Sequence, residues 1–330
     1  MLVLPTSGST GRPKAVVLTR RALLASAQGT RMRLGGFTWH CPLDTGHIAG
    51  IQVWLRGLLD ARLGLGQGTR AVPSSLADIE LAEGRNAISI VPTQLYRALA
   101  DPRLLDRLAA MDLVLLGAAP VAPGQLAAAR ASGLRIVTTY GMTETCGGCV
   151  YDGQPLPGVQ FELLDADADG VGRIGLRGPV LFSGYLGERG VTAESLSDGL
   201  LRTHDLGRLD ADGRLRVVGR IDDVVISGGL NVNLAAVQQA VDDLLATGGL
   251  HLPGGAAVVD LPDPEWGAYV VLVVTDPDAP PIDWWRERLV ERLERTALPR
   301  RLLQVNVLPH TGSGKIDRRA LRTALAKGAD

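Results

Sequence analysis

The 330-residue chain predicts an α/β fold, and three observations carry that prediction. Short apolar runs of strand length alternate with helical patterns. The first run, Leu2-Val3-Leu4, passes directly into a loop dense in glycine, hydroxyl groups and lysine, Thr6-Ser7-Gly8-Ser9-Thr10-Gly11-Arg12-Pro13-Lys14. Finally, 46% hydrophobic residues beside 21% charged ones are enough to fill a large core in two domains.

Composition excludes several classes. A formal net charge of −1 gives no nucleic-acid surface. Three cysteines, Cys41, Cys146 and Cys149, cannot build a secreted disulfide framework. No apolar run reaches the ~18–20 residues of a membrane span. Met1 leads straight into a short apolar run, so no signal peptide is expected. A reducing cytoplasm is the expected location.

The elements follow in order. Ala87 to Val91, Leu113 to Leu116 and Leu134 to Thr138 read as strands, with helices Arg103 to Ala110 and Gln125 to Ala131 between them. From about Gly158 to Val218, glycine, aspartate and alternating apolar residues predict a small β-rich part, with strands at Arg173 to Arg177 and Arg214 to Val218. A second α/β unit follows: a helix near Ala235 to Leu245, strands at Ala256 to Asp260 and Tyr269 to Val274, and a helix from Trp284 to Thr296. The domain boundary is placed at Arg220 to Asp222, giving domains 1–220 and 221–330.

Five segments carry chemistry. The glycines of Thr6 to Lys14 let backbone N–H groups turn toward an anion, and the hydroxyls and lysine add donors, which suits a polyphosphate. The G-x-x-x-x-G-K-[ST] spacing of the common NTPase loop is absent; the plain alternative is a flexible Ser/Gly loop. In Thr139-Tyr140-Gly141-Met142-Thr143-Glu144-Thr145, at the end of a strand, Glu144 suits Mg²⁺ and Thr143 a phosphate oxygen. Asp205, in Thr203-His204-Asp205-Leu206-Gly207, suits two ribose hydroxyls, against the ordinary reading of a turn aspartate. Gly219-Arg220-Ile221-Asp222-Asp223 is followed by Ser227-Gly228-Gly229-Leu230-Asn231. Near the carboxyl end, Lys315 follows Gly312-Ser313-Gly314; it is either an extended site lysine or a solvated surface charge.

In this order and spacing the five segments resemble the adenylate-forming superfamily of acyl-CoA synthetases, luciferases and peptide-synthetase adenylation domains, from Leu4 to about Leu321. A narrower resemblance, carried by Gly46-His47-Ile48-Ala49-Gly50, Val91-Pro92-Thr93-Gln94-Leu95 and above all Thr138 to Gly153, is to actinobacterial o-succinylbenzoate–CoA ligases of menaquinone biosynthesis. The resemblance implies a large amino-terminal adenylate-forming domain and a small mobile α/β carboxyl-terminal domain. Only five residues precede Thr6, so a shortened first lobe is expected. Leu234 and Ala236 stand where the family has Pro and Glu, and His204 where it often has Asp or Gly.

The resemblance also implies roles. Thr6, Ser7, Gly8, Ser9, Thr10, Gly11 and Lys14 would hold the ATP phosphates, with Mg²⁺ on Glu144 and Thr143 at the α-phosphate. Gly117-Ala118 would form the adenine turn, with Tyr140 and Gly141 beside the nucleotide. Asp205 and Arg220 would serve the ribose. His47, Thr93, Gly147 and Gly148 would line the acyl pocket, where the small residues after Glu144 leave room for an aromatic acid. Cys146 and Cys149 form a C-x-x-C, but no second ligand pair or thioredoxin context supports zinc or redox chemistry. Lys315 would bridge the substrate carboxylate and the α-phosphate. Rotation at Asp222 would then exchange Lys315 for the Gly229 segment and admit the CoA thiol. A ligase for another aromatic or medium-chain acid, and a non-catalytic nucleotide-binding remnant, remain open. The apolar edge at Leu2 to Leu4 is expected to pair, favouring a homodimer over a monomer.

Overall fold

A computed structural model describes residues 1–6, 14–73, 75–121, 123–227, 229–247, 250, 252, 255–310 and 316–327. By its internal contacts the chain divides into two units. The first holds Met1–Pro120, Ala127–Thr203 and Gly207–Arg216; the second holds Val121–Leu126, His204–Leu206 and Val217–Asp330. Among the described residues no helix is long and apolar enough to cross a membrane.

The first unit is organised by a seven-stranded sheet built from β3 (Thr38–Cys41), β4 (Thr69–Ala71), β5 (Asn86–Ile90), β6 (Leu113–Leu116), β7 (Ile136–Met142), β8 (Gly147–Tyr151) and β9 (Gln154–Pro155), in the order β4-β3-β5-β6-β7-β8-β9. The first five are parallel; β7, β8 and β9 are antiparallel. Every residue of β3, β5 and β6 is buried, as parallel strands covered on both faces require. The chain runs from β3 outward to β4 and then back across to β5, so the direction of winding reverses between β3 and β5. Ligands of open α/β sheets bind at the carboxyl ends of the strands beside such a reversal.

A second sheet pairs β1 (Leu2–Thr6) with β2 (Lys14–Leu18) and β2 with β12 (Gly184–Tyr185). Strand β1 stands at its edge, and Val3 is exposed. Helix α1 (Arg20–Leu34) starts where the Thr19 hydroxyl accepts the Ala22 N–H at 3.0 Å, and stops at Gly35, whose φ of 89° suits glycine. Helix α2 (Ile48–Arg62) packs with α1 in the same core.

Between Gln160 and Arg220 lie β10 (Gln160–Leu164), β11 (Gly172–Arg177), β13 (Leu196–Ser197), β14 (Leu200–Leu209) and β15 (Leu215–Arg220), one five-stranded sheet where the alternating pattern predicts a β-rich part. The second unit has its own sheet, β17 (Leu230–Asn233), β16 (Val224–Ser227), β19 (Gly267–Val274) and β18 (Ala256–Asp263), with β20 (Arg301–Gln304) parallel to β19. Its core joins Val258, Val270 and Leu272 to Val241 of one helix (Leu234–Thr247) and Trp285 of another (Ile282–Leu289).

Two expected elements differ. The helix expected over Trp284 to Thr296 is Ile282–Leu289 only, with a separate 3₁₀ turn at Arg295–Ala297. Val290 to Arg292 are exposed and the Arg292 N–H tightens onto the Leu289 carbonyl three residues back, so the regular helix ends there although Leu293 still packs on the core. The strand expected to end at Thr138 continues to Met142. Strand β8 returns antiparallel beside it and supplies the hydrogen-bonding partners that a free loop would lack.

Candidate active site

The run from Thr138 to Gly153 is a single hairpin. Thr138 closes its base by donating from both N–H and hydroxyl to Asp152 Oδ1, at 2.9 and 2.8 Å. At its tip Thr143–Thr145 make one 3₁₀ turn, and Cys146 takes a left-handed φ of 52°. The Thr145 hydroxyl accepts the Met142 N–H at 2.9 Å and is 2.7 Å from the Gly147 carbonyl. The strands cross so closely that a Cβ on Gly141 would lie 2.1 Å from the Gly147 carbonyl oxygen. Glycine at 141 is therefore a packing requirement of the hairpin that presents Glu144.

Glu144 meets two residues from other elements. The Tyr185 hydroxyl donates to its carboxylate at 2.9 Å, and the Phe182 N–H donates to its carbonyl at 2.8 Å. Lys14 Nζ stands 5.1 Å from the centre of the Tyr185 ring. Thr6 pairs with Lys14 across β1 and β2, so the two described residues that flank segment 7–13 lie side by side. Burial first, then the adjacent Glu144 charge, pushes the Tyr185 phenol up, which keeps it an O–H donor. Tyr185 was missed by the sequence reading; its signal is the Gly184-Tyr185 pair after Ser183. The hard carboxylate of Glu144, beside Lys14, fits Mg²⁺ bound by one protein oxygen together with substrate phosphates. Among the described residues no cluster of three or more His, Cys, Asp or Glu side chains could hold a metal alone. Ser7, Gly8, Ser9, Thr10, Gly11 and Lys315 lie outside the described residues.

The other expected residues of this unit sit at the carboxyl ends of the sheet. His47 is the half-buried N-cap residue of α2, after β3, in a loop braced by the Asp44 carboxylate accepting from Gly46 N–H at 2.8 Å. Thr93 is exposed in the first turn of the helix Pro92–Ala100, after β5, where Gln94 Oε1 accepts the Val91 N–H at 3.0 Å. After β6, a Cβ on Gly117 would lie 2.2 Å from Thr139 Oγ1, and Ala118 holds a φ of 73°, strained for a residue with a side chain. Tyr140 is half-buried on β7. A Cβ on Gly147 would touch Gln52 at 3.4 Å, and one on Gly148 would press on Thr139 and Tyr151 at 3.0 Å.

A buried polar group lies behind this hairpin, and the sequence reading missed it too. Arg56 Nη2 donates to the Tyr151 hydroxyl at 3.2 Å, which shares a 2.8 Å hydrogen bond with Thr30. Ser26 donates to the Cys146 carbonyl at 3.0 Å and Gln52 to the Leu23 carbonyl at 3.2 Å. Arg56 Nε and Gln52 Oε1 are buried with no hydrogen-bond partner among the described residues. The only sequence signal was a lone arginine and a lone glutamine on the apolar face of α2.

Cys146 and Cys149 are free and fully buried, and burial pushes both thiols up to about 12. Neither thiolate nucleophile nor metal ligand is supported there.

In the second unit Arg220 joins two carboxylates: Nη1 reaches Asp205 at 2.7 Å and Nη2 reaches Asp222 at 3.1 Å. His204 Nδ1 is 3.1 Å from the other Asp222 oxygen. Burial opposes ionisation of Asp222, but the hydrogen bonds from His204 and Arg220 outweigh it and hold its carboxyl low. Burial likewise pulls Arg220 down, and the surrounding carboxylates raise it overall. Asp222 belongs to the 3₁₀ turn Ile221–Asp223 directly after β15. Gly229 lies in the turn between β16 and β17 with a φ of 80° and open space where a side chain would project.

Residues 1–186 match the family model described as AMP-binding enzyme. The chain belongs to this family. The Probable 2-succinylbenzoate–CoA ligase of Mycobacterium tuberculosis (strain CDC 1551 / Oshkosh) is 39% identical over 341 residues, spanning 100% of this chain and 85% of that protein. The solved o-succinylbenzoate CoA synthetase (MenE) from Bacillus subtilis, in complex with the acyl-adenylate intermediate OSB-AMP, superposes with a TM-score of 0.81 at 26% identity, over 97% of this chain and 68% of that one. The same enzyme with ATP and a magnesium ion gives 0.79 at 25% identity, over 97% and 69%. The AMP-binding family match covers the part of the chain that holds Lys14, Glu144 and Tyr185.

Proposed function

We propose that this chain activates o-succinylbenzoate with ATP and passes the acyl group to CoA, giving o-succinylbenzoyl-CoA, AMP and pyrophosphate for menaquinone biosynthesis. The observation that carries the reading is the meeting of Lys14 and Glu144 around Tyr185, at the strand ends where α/β sheets bind ligands. In the first half-reaction a carboxylate oxygen of the acid attacks the α-phosphorus, and the bond to the β-phosphate oxygen breaks. Lys14, with the segment before it, would hold the leaving polyphosphate, and Thr143 would face the α-phosphate. Mg²⁺ held by Glu144 would neutralise polyphosphate charge. Ala118, Gly117, Tyr140 and Gly141 would flank the base, and Asp205 with Arg220 the ribose. In the second half-reaction the CoA thiol loses its proton, attacks the acyl carbonyl and displaces AMP. Lys315 would serve the first step and the Gly229 segment the second, with Asp222 as the hinge between domains 1–220 and 221–330.

The choice of acid is supported by the likeness to the Mycobacterium tuberculosis relative along the whole of this chain and 85% of that protein. It also has support from chemistry. o-Succinylbenzoate keeps a second carboxylate after the first is activated, and Arg56 is a buried cation one turn beyond Gln52, the residue that faces Gly147. His47, Thr93, Gly147 and Gly148 would complete the acyl pocket. Cytoplasmic location and a homodimer joined at the β1 edge are part of the same proposal; light scattering at micromolar concentration tests the dimer, and a clean monomer would remove it.

The deciding experiment is mass spectrometry of the products formed from ATP, CoA and o-succinylbenzoate. The expected products are the CoA thioester and AMP. Turnover of another aromatic or medium-chain acid in place of o-succinylbenzoate would move the assignment to that acid. No pyrophosphate from any acid would leave a non-catalytic nucleotide-binding protein.

A further inference from the structure

Tyr185 is held from every side. Its N–H donates to Thr192 Oγ1 at 2.9 Å, its register with Val16 places it next to Lys14 on β2, and its ring meets Phe182 edge-on at 5.0 Å. Gly184 takes a φ of 140°, and a Cβ there would lie 2.7 Å from Thr192. The phenol donates to Glu144 at 2.9 Å. The hydroxyl thus holds the carboxylate, and the ring face receives the Lys14 ammonium at 5.1 Å.

We propose that Tyr185 is a positioning residue that aims the Glu144 carboxylate at a divalent cation and holds Lys14 apart from it, so that both charges meet the same polyphosphate. The inference rests on the function proposed above. A carboxylate ligand is oriented by the hydrogen bond a neighbouring residue gives it, and losing that bond weakens the metal. Lysine and glutamate left to themselves would pair and cancel. The tyrosine gives the ammonium a π face and the carboxylate a donor, so neither charge is spent on the other.

The test uses the full chain, Mn²⁺ as the probe, and a non-hydrolysable ATP analogue, with free Mn²⁺ read by electron paramagnetic resonance. Tyr185→Phe keeps the ring and removes the donor. It is expected to weaken Mn²⁺ about tenfold while leaving analogue binding in EDTA unchanged. Tyr185→Leu, which also removes the ring, is expected to weaken analogue binding in EDTA as well. Thermal melting accompanies each variant. A Tyr185→Phe chain that melts normally and binds Mn²⁺ within about twofold of the unchanged chain would overturn the proposal. An unchanged chain that binds no analogue at all would instead overturn the nucleotide-site reading beneath it.

Discussion

Arg220 donates to the Asp205 carboxylate at 2.7 Å, and Asp205 is buried while Arg220 is half-exposed. Solvent screens the pair from the arginine side, so it contributes little to stability and is better read as orientation. Arg220 also keeps Asp222 as a second partner at 3.1 Å. Asp205→Asn should therefore leave the fold intact and raise KM for ATP about tenfold, or ~1.4 kcal/mol, with a smaller change in kcat. Steady-state pyrophosphate release measures this, and an unchanged KM would remove Asp205 from the ribose.

Lys315→Ala should abolish adenylate formation yet spare thioester formation from a supplied acyl-adenylate. Its charge is needed while negative charge builds at the α-phosphate, where one well-placed donor is typically worth ~10²–10³ in rate. Equal loss in both half-reactions would contradict the role.

Gly141→Ala should destabilise the chain by about 3 kcal/mol or more, because the added Cβ meets backbone rather than a side chain able to move. Glu144 would lose its aim together with the hairpin. A melt within ~1 °C of the unchanged chain would show that the hairpin can relax.

Asp242 sets a pH dependence. Burial pushes its carboxyl up to about 6, against the Gln238 hydrogen bond and Arg318, which hold it down. A carboxyl raised above its unfolded value of 3.8 costs nothing when protonated in both states. The cost grows as pH rises from there through about 6 and is complete above. Asp242→Asn should differ only slightly from the unchanged chain at pH 4 and exceed it by roughly 1–2 kcal/mol at pH 7.5, allowing for the partial exposure of the side chain. Denaturant unfolding at both pH values checks the sign; a gap that closes as pH rises would reverse it.

The three thiols should not react with Ellman's reagent in the folded chain and should all react in guanidinium. Cys41, Cys146 and Cys149 are buried and their thiolates are disfavoured. Fast native labelling of Cys146 or Cys149 would reopen a redox reading of the C-x-x-C.

Much of the fold is legible locally. Leu113 to Leu116 reads as a buried strand because four consecutive apolar residues need cover on both faces, and it is one. Thr19 and Gly35 bound α1 by capping chemistry written in the sequence, although that helix was not marked there. The end of β7 is not legible locally, because Thr139 to Met142 look like a loop until β8 pairs with them. The helix after Pro281 is shorter than its sequence spacing implies because Leu293 keeps that spacing while the Arg292 N–H has tightened onto the Leu289 carbonyl and Val290 to Arg292 face solvent.

The sequence alone determined the order of strands and helices, the loop chemistry around Lys14, the hairpin residues near Glu144 and the family, because period, capping and motif spacing are properties of neighbouring residues. The tertiary structure alone decided which distant groups share one place. Tyr185 reaches Glu144 across 41 positions and Arg56 reaches Tyr151 across 95. Strand order brings such partners together, and burial gives their contacts force: a donor or charge removed from water must find its complement inside the protein, wherever along the chain that complement lies.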